Sequence, residues 1–128
     1  MTYRFGRSGL ILVTCRLATA TDSVLCNFAL DTGATRTLLS SEGAATLRLA
    51  LALGEQVATA SGIESSHHAT LSRVDALGMT RRDFRILVLP LPRAAGIDGL
   101  LGLDFLRDTR LTIDFRRQTI QVADTTGP

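Results

Sequence analysis

Apolar positions in this chain come in short runs of strand length, separated by small, polar and glycine-containing stretches. Two runs, residues 10–17 and 23–30, are rich in apolar and β-branched side chains. The polar stretch between them predicts a hairpin turn. A symmetric hairpin places Cys15 opposite Cys26, so that both thiols lie on one packed face.

Later runs predict more strands than helices. Further strands are predicted at residues 55–59, 70–77, 84–89, 111–115 and 119–122, with shorter apolar runs at residues 37–39 and from residue 97 onward. Ser40 or Ser41 resembles a helix N-cap, and Glu42 follows in the first turn, where negative charge is favourable. This helix is predicted over residues 42–51 and ends near Gly54.

A second short helix is predicted to begin near Asp104, with Asp104 as its N-cap. Asp98 and Asp114 are interpreted as a turn residue and a strand-surface residue. The pattern predicts an all-β fold with one or two short helices, as a single domain over residues 1–128. Its core is expected at about residues 9–122.

Composition and charge exclude several classes of protein. The chain has 128 residues, 45% of them hydrophobic and 20% charged, which suits one globular domain. No apolar run is long enough to predict a membrane segment. The net charge is +2 and all 14 basic residues are arginine, which excludes lysine-based covalent chemistry. Two isolated arginine pairs without interleaved aromatic residues predict no nucleic-acid partner.

The low cysteine count bears on the redox environment. Cys15 and Cys26 do not make a disulfide-rich scaffold, and the sequence shows no secretion-signal pattern. Two buried, reduced thiols are therefore favoured over a disulfide across the hairpin. We expect a cytoplasmic protein, or the soluble domain of a longer anchored one.

The most informative motif is the tripeptide Asp31-Thr32-Gly33, which occurs once, at the end of an apolar run. The run drives a carboxylate to the tip of a strand, and Thr and Gly then turn the chain sharply. Ala34 packs closely behind the turn. This arrangement predicts one Asp at the floor of a cleft. A second apolar-apolar-Gly turn, Leu100-Leu101-Gly102, follows about seventy residues later.

With a glycine-tipped hairpin between them, these motifs resemble the retropepsin family of single-lobed aspartic peptidases, most of all its bacterial and cellular branch. The resemblance rests on Leu30-Asp31-Thr32-Gly33-Ala34 and on Leu100-Leu101-Gly102, continuing through Asp104-Phe105-Leu106. It implies an acid-protease lobe with a closed, barrel-like β fold. Retroviral members usually carry an Arg and an Asp where this chain has Leu103 and Thr35. Because both charges are absent together, the dimer interface must be held differently.

The resemblance also implies a function. The chain would be a homodimeric aspartic endopeptidase, in which two Asp31 carboxylates, one from each subunit, activate a water molecule. Thr32 would hydrogen-bond across the dimer axis, and Gly33 would let the backbone of a peptide or protein substrate approach. Ala34 and the Leu100-Leu101-Gly102 turn would support the loop. The flap over the substrate would comprise Ala60, Ser61, Gly62 and Ile63. Substrate pockets would be lined by apolar side chains such as Leu30, Ile63 and Leu101, the last of which could equally belong to the core. No metal or other cofactor is required.

Other interpretations stay open at this point. Asp31 could simply stabilise a tight turn, and the fold could serve as a non-catalytic peptide-binding or oligomerisation module. It could also be a processing domain that cleaves only its own parent polypeptide. Gly62 is also compatible with an ordinary hairpin turn. His67 and His68 are adjacent in a predicted strand, which is more typical of solvated residues than of metal ligands.

Overall fold

The apolar runs form strands, and most of these strands enter one continuous sheet. The computed structural model describes residues 2–6, 9–59, 62–92 and 96–124. In chain order the elements are β1 (Thr2–Arg4), β2 (Leu12–Ala18), β3 (Ser23–Leu30), β4 (Leu38–Ser40), α1 (Ser41–Thr46), β5 (Ala52–Thr59), β6 (Gly62–Ala76), β7 (Met79–Leu89), β8 (Gly99–Leu101), α2 (Leu103–Leu106), β9 (Thr109–Asp114) and β10 (Thr119–Asp124).

The larger sheet closes into a barrel. Its strand order is β2-β3-β8-β4-β7-β6-β5, and an additional pairing of β2 with β6 joins the two ends of a six-stranded ring. Strand β5 continues from the ring as the partner of β6. Closure leaves few unpaired strand edges, which is a general advantage of barrels. The prediction of an all-β, barrel-like fold with two short helices is confirmed.

Strand β8 occupies a central place in this ring. It runs parallel to β3, with Leu30 opposite Leu101, and antiparallel to β4, with Leu39 opposite Gly99. Strand β4 in turn runs parallel to β7. A late segment of the chain therefore lies between two early ones, which brings the second glycine turn beside the end of β3.

The β2–β3 hairpin has the predicted register. Cys15 lies opposite Cys26 and Val13 opposite Phe28. Burial alternates along β2 because successive side chains of a strand point to opposite faces. Both cysteines are buried free thiols, as the sequence predicted.

A second sheet of three strands, in the order β1-β10-β9, covers one side of the core. Ile120 is almost fully buried, and Tyr3, Leu111 and Val122 pack against the same core. Strand β1 was not predicted from the sequence. Its three residues are held by pairing with β10, Thr2 opposite Gln121, and such a long-range pairing leaves no local pattern.

Helix α1 differs from its prediction at the C-terminal end. It covers Ser41–Thr46 and does not reach Gly54. Arg48 has a left-handed backbone (φ 54°), and its amide donates to the carbonyl of Ala45. The next amide, that of Leu49, donates to the carbonyl of Ala44. These two bonds form a Schellman motif, which ends the helix without a glycine.

Two strands are longer than predicted. The structure extends β6 back to Gly62 and begins β7 at Met79, because the two strands pair with each other along most of their length. Phe115 lies beyond β9 and is 71% exposed, so its predicted place on a half-buried strand is wrong. In the described part of the chain, no helix has the length and apolar character of a membrane span.

Candidate active site

Asp31 follows the last residue of β3 and is held there by backbone hydrogen bonds on both sides. The amide of Leu30 donates to the carbonyl of Ile11 at 2.8 Å. The amide of Asp31 donates to the carbonyl of Leu101 at 3.0 Å. The base of the Asp31 side chain is therefore fixed between Ile11, just before β2, and Leu101, the last residue of β8.

The turn after Asp31 is closed by that residue itself. The carbonyl of Asp31 accepts a hydrogen bond from the amide of Ala34 at 3.2 Å, and Oδ1 accepts one from the amide of Gly33 at 2.9 Å. A Cβ atom at Gly33 would lie 3.2 Å from Oδ1, which is a tight contact. Asp31 is half-buried, whereas Thr32 and Gly33 are exposed.

One oxygen of the Asp31 carboxylate is thus oriented and the other is available. Within the described ranges, Oδ2 of Asp31 accepts no hydrogen bond. A half-buried carboxylate with one tethered oxygen has a defined direction and can still bind water or a substrate group through the other oxygen. The structure shows the predicted carboxylate at the tip of a strand, and its place at the floor of a cleft stays a prediction.

The second glycine turn lies directly behind this loop. A Cβ atom at Gly102 would lie 2.7 Å from the carbonyl carbon of Arg36 and 2.8 Å from the carbonyl oxygen of Ala34. The amide of Leu103 donates to that same Ala34 oxygen at 2.8 Å. Only glycine allows so close an approach of two backbones. The Leu100-Leu101-Gly102 turn therefore packs directly against the backbone of the Asp31 loop.

Leu101 is fully buried and belongs to the hydrophobic core. It therefore supports the loop from below as part of the core, which is one of the two alternatives that the sequence left open. Leu30 and Leu100 are half-buried. Leu103 is 42% exposed and Thr35 is exposed. The two positions that carry charges in retroviral relatives are thus a surface leucine and a surface threonine.

Asp104 has a different role from the one predicted. The N-cap position of α2 is Gly102, which makes no side-chain cap, and Asp104 lies in the first turn of the helix. Its Oδ1 accepts hydrogen bonds from the amide of Thr37 at 2.8 Å and from the hydroxyl of Thr37 at 2.7 Å. The amide of Phe105 donates to the same oxygen at 2.9 Å.

Sequence reasoning missed this contact because Thr37 and Asp104 lie far apart in the chain. One signal was present. Thr37 precedes the apolar pair of β4 and is completely buried. A polar side chain in such a place needs a hydrogen-bond partner, and short-range neighbours offered none.

The predicted flap region lies in the β5–β6 hairpin. The two strands pair as far as Thr59 opposite Gly62. Gly62 and Ile63 begin β6, whereas Ala60 and Ser61 lie outside the described residues. The hairpin is confirmed, and its role as a flap stays a prediction.

The remaining candidates form no second site. His67 is exposed, and Nη2 of Arg85 lies 3.1 Å from both ring nitrogens of the half-buried His68. No group of three His, Cys, Asp or Glu side chains in the described ranges is placed to hold a metal ion.

The pKa values of both cysteine thiols are raised. Burial, with a smaller effect of neighbouring Cys26, raises the pKa of the Cys15 thiol to about 12. Burial, with a smaller effect of the Asp98 carboxylate, raises the pKa of Cys26 to about 11. Asp98 itself accepts a hydrogen bond from the amide of Asn27 at 2.9 Å. Neither thiol has the lowered pKa of a nucleophile.

The fold has close structural relatives. A retropepsin-like aspartic protease from Rickettsia conorii superposes with a TM-score of 0.72 at 23% identity, covering 94% of this chain and 86% of the other. EIAV protease, in complex with the inhibitor HBY-793, superposes with a TM-score of 0.63 at 20% identity, covering 83% of this chain and 93% of the other. At these identities the comparison shows a shared retropepsin-like fold.

Sequence comparison adds the family. No curated protein matches the chain at a significant level. A family model described as aspartyl protease matches residues 18–105, which is more than half of the chain. The matched range includes the Asp31 loop and the Leu100-Leu101-Gly102 turn. The chain therefore belongs to the aspartyl protease family and has the retropepsin-like fold.

Proposed function

We propose that the protein is a homodimeric aspartic endopeptidase and that Asp31 of each subunit is its catalytic residue. The main observation behind the proposal is the way in which the Asp31 carboxylate is held and partly exposed. One oxygen is held by the amide of Gly33 at 2.9 Å, and the side chain is half-buried at the tip of a strand. Family membership supplies the reaction class.

The dimer follows from the chemistry. Hydrolysis of a peptide bond by carboxylates needs two of them around one water molecule, and the chain contains a single Asp-Thr-Gly loop. A two-fold axis beside that loop supplies a second, identical Asp31. Thr32 and Gly33 are exposed on the loop, so they are accessible to a partner and to substrate.

In the proposed reaction, two adjacent carboxylates share one proton, because two like charges at hydrogen-bond distance repel each other. The ionised Asp31 takes a proton from water as the water oxygen attacks the scissile carbonyl carbon. The protonated Asp31 donates a hydrogen bond to the carbonyl oxygen and stabilises the tetrahedral intermediate. Proton transfer to the leaving nitrogen then breaks the C–N bond and releases an amine and a carboxylic acid.

The proposal assigns supporting roles to the neighbouring elements. Thr32 would hydrogen-bond across the two-fold axis and stiffen both loops. The β5–β6 hairpin would cover an extended peptide, which would bind as an added strand, and the flap would exclude water. Gly62 and Ile63 begin the strand that leads away from this hairpin tip.

The decisive variant is Asp31→Asn, which removes the ionisable group and keeps the shape of the side chain. We expect cleavage of an unfolded protein substrate such as reduced casein to fall by about 100- to 10,000-fold. Asp83→Asn is the matched control. Asp83 is exposed and has a left-handed backbone (φ 48°), which asparagine also tolerates.

Oligomeric state must be measured in the same samples. Equal cleavage by wild type and Asp31→Asn, at equal dimer content, would contradict the proposal. A stable dimer that binds peptides and cleaves none, in either form, would favour the peptide-binding module instead.

A further inference from the structure

Thr37 stands at the end of the segment that begins with Asp31, and it is a polar side chain with no exposure to solvent. Its hydroxyl donates to Oδ1 of Asp104 at 2.7 Å and accepts from the amide of Gly102 at 3.1 Å. Both hydrogen-bonding functions of the hydroxyl are therefore used. A valine of the same shape would leave the amide of Gly102 without this partner and would remove one of the hydrogen bonds to Asp104.

Oδ1 of Asp104 receives three donors, namely the amide and hydroxyl of Thr37 and the amide of Phe105, at 2.8, 2.7 and 2.9 Å. Hydrogen bonds to a carboxylate are stronger than those between neutral groups. We call these contacts, together with that of Gly102 to Thr37, the Asp104 network. Every buried polar side-chain atom in the described ranges has a partner, so the network leaves no unpaired group.

Beyond the pairing of β3 with β8, three attachments join the two motifs in the described ranges, and the Asp104 network is one of them. The amide of Asp31 donates to the carbonyl of Leu101, and the amide of Leu103 donates to the carbonyl of Ala34. These two bonds hold the start and the middle of the loop. The Asp104 network holds its end, together with the amide of Leu87, which donates to the carbonyl of Thr37 at 3.1 Å, and it is the only one of the three that a side chain provides.

We propose that Asp104 is a positioning residue that sets the orientation of the Asp31 carboxylate through Thr37. The proposal rests on the proposed function, because the orientation matters where two carboxylates must face one water molecule. Without the network, the end of the loop keeps the backbone bond from the amide of Leu87 to the carbonyl of Thr37 but loses its side-chain link to the second motif, so the segment from Asp31 to Thr37 can shift. Displacement of a reacting group by about 1 Å can reduce a rate by about 100-fold.

The predicted kinetic effect lies in kcat. Asp104 is half-buried behind the loop and its Oδ1 is occupied by backbone and side-chain donors, so the network does not contact substrate in the proposed arrangement. Loss of the network should therefore lower kcat by about 10-fold or more and change KM by less than about threefold.

The experiment compares Asp104→Ala, Thr37→Val and Thr37→Ser in the full chain. Asp104→Ala and Thr37→Val should both lower kcat, whereas Thr37→Ser keeps the hydroxyl and should restore a rate within about threefold of wild type. The double variant Asp104→Ala with Thr37→Val should lose little more than either single variant, because both act through one network.

Asp98→Ala is the matched control. Asp98 also accepts a long-range bond from a backbone amide, that of Asn27, and its hydrogen bonds in the described ranges go to Asn27 and Ser40, outside the segment from Asp31 to Thr37. Its removal should lower the free energy of unfolding without a change in kcat for the folded fraction. Unchanged kcat in both Asp104→Ala and Thr37→Val would overturn the proposal, as would an equal kcat loss in Asp98→Ala.

Amide hydrogen exchange provides a readout independent of activity. In Asp104→Ala the amides of Gly33, Ala34 and Thr37 should exchange at least about tenfold faster, while those of the β2–β3 hairpin stay protected.

If Asp104→Ala does not fold, Thr37→Val is measured instead. If Asp31→Asn cleaves as fast as wild type, the proposed function fails, and exchange alone decides whether Asp104 orders the loop. Unchanged exchange at Gly33 and Ala34 would overturn the proposal.

Discussion

The amide of Asp31 donates a hydrogen bond to the carbonyl of Leu101 at 3.0 Å, although the two residues belong to motifs about seventy residues apart in the chain. Leu30 lies opposite Leu101 in the parallel pairing of β3 with β8, so the bond continues the ladder beyond the last strand residue. The two motifs therefore form one structural unit. A change in either motif should alter the position of the Asp31 carboxylate.

The closest approach within this unit is at Gly102. A methyl group there would lie 2.7 to 2.8 Å from backbone atoms of Arg36 and Ala34, which cannot move without displacing the loop. We expect Gly102→Ala to lower the free energy of unfolding by about 1–3 kcal/mol, measured by urea denaturation at fixed protein concentration. Gly6→Ala is the control, since a methyl group there meets no atom within 4 Å. Equal stability of the two variants would contradict the close approach.

The N-cap of α1 can be tested because two serines compete for it. The hydroxyl of Ser40 accepts a hydrogen bond from the amide of Gly43 at 3.0 Å, whereas Ser41 is the first helical residue and is exposed. Ser40→Ala should lower the free energy of unfolding by about 1 kcal/mol. Ser41→Ala should change it by less than about 0.5 kcal/mol. The reverse order in urea denaturation would assign the cap to Ser41.

The cysteines should resist thiol reagents in the folded protein. A rise in the pKa of Cys15 from 9.0 to about 12 lowers its thiolate fraction near neutral pH by about 1,000-fold, and Cys26 is shifted in the same direction. We expect no measurable labelling by a chromogenic disulfide reagent over minutes in buffer. Two thiols should react promptly in guanidinium chloride without reductant.

Thr14→Cys provides the control for accessibility, because Thr14 is exposed on the same strand as Cys15. Its new thiol should react at the rate of a free peptide thiol. Native labelling of Cys15 or Cys26 at that rate would show that the β2–β3 face opens. Detection of no thiol after denaturation would show that a disulfide joins them.

Asp75 should make stability depend on pH. The hydroxyl of Thr80 donates to its Oδ1 at 2.6 Å, and this bond, followed by the bond from Arg73, lowers the pKa of Asp75 below 3.8. A lowered pKa in the folded state stabilises the protein above pH 3.8. The gain declines as pH falls through 3.8 towards the lower, native value.

Thr80→Val removes the hydroxyl and Thr80→Ser retains it. We expect Thr80→Val to lower the free energy of unfolding near neutral pH and to match wild type more closely below pH 3.8. Thr80→Ser should follow wild type at every pH. Denaturation curves collected across this range give the comparison, and a loss in Thr80→Val that does not depend on pH would rule out the carboxylate as its source.

Several features could be predicted because their causes lie within a few residues of one another. The pairing of Cys15 with Cys26 follows from alternating burial on both sides of a short polar turn. The position of Asp31 at a strand end follows from an apolar run, a carboxylate and a glycine turn in direct succession. Ser40 or Ser41 as the cap of α1 follows from the same kind of local chemistry.

Other features could not be predicted from the preferences of the individual residues. Arg48 ends α1 in a left-handed conformation that its own residue type does not favour. Strand β1 exists through its pairing with β10, and Phe115 lies outside β9 at the surface. In each case a contact in space outweighs a weak local preference.

The sequence by itself determined which residues are candidates for the chemistry and which runs become strands, since strand alternation and turn chemistry are local properties of the chain. Only the tertiary structure decided what those residues touch. Asp104 appeared to be a helix cap, and barrel closure instead placed its carboxylate on the buried Thr37. The same closure placed Gly102 against Ala34 and Leu101 against Asp31. Such contacts depend on strand order, and strand order is set by burying the whole core at once, which no local segment encodes.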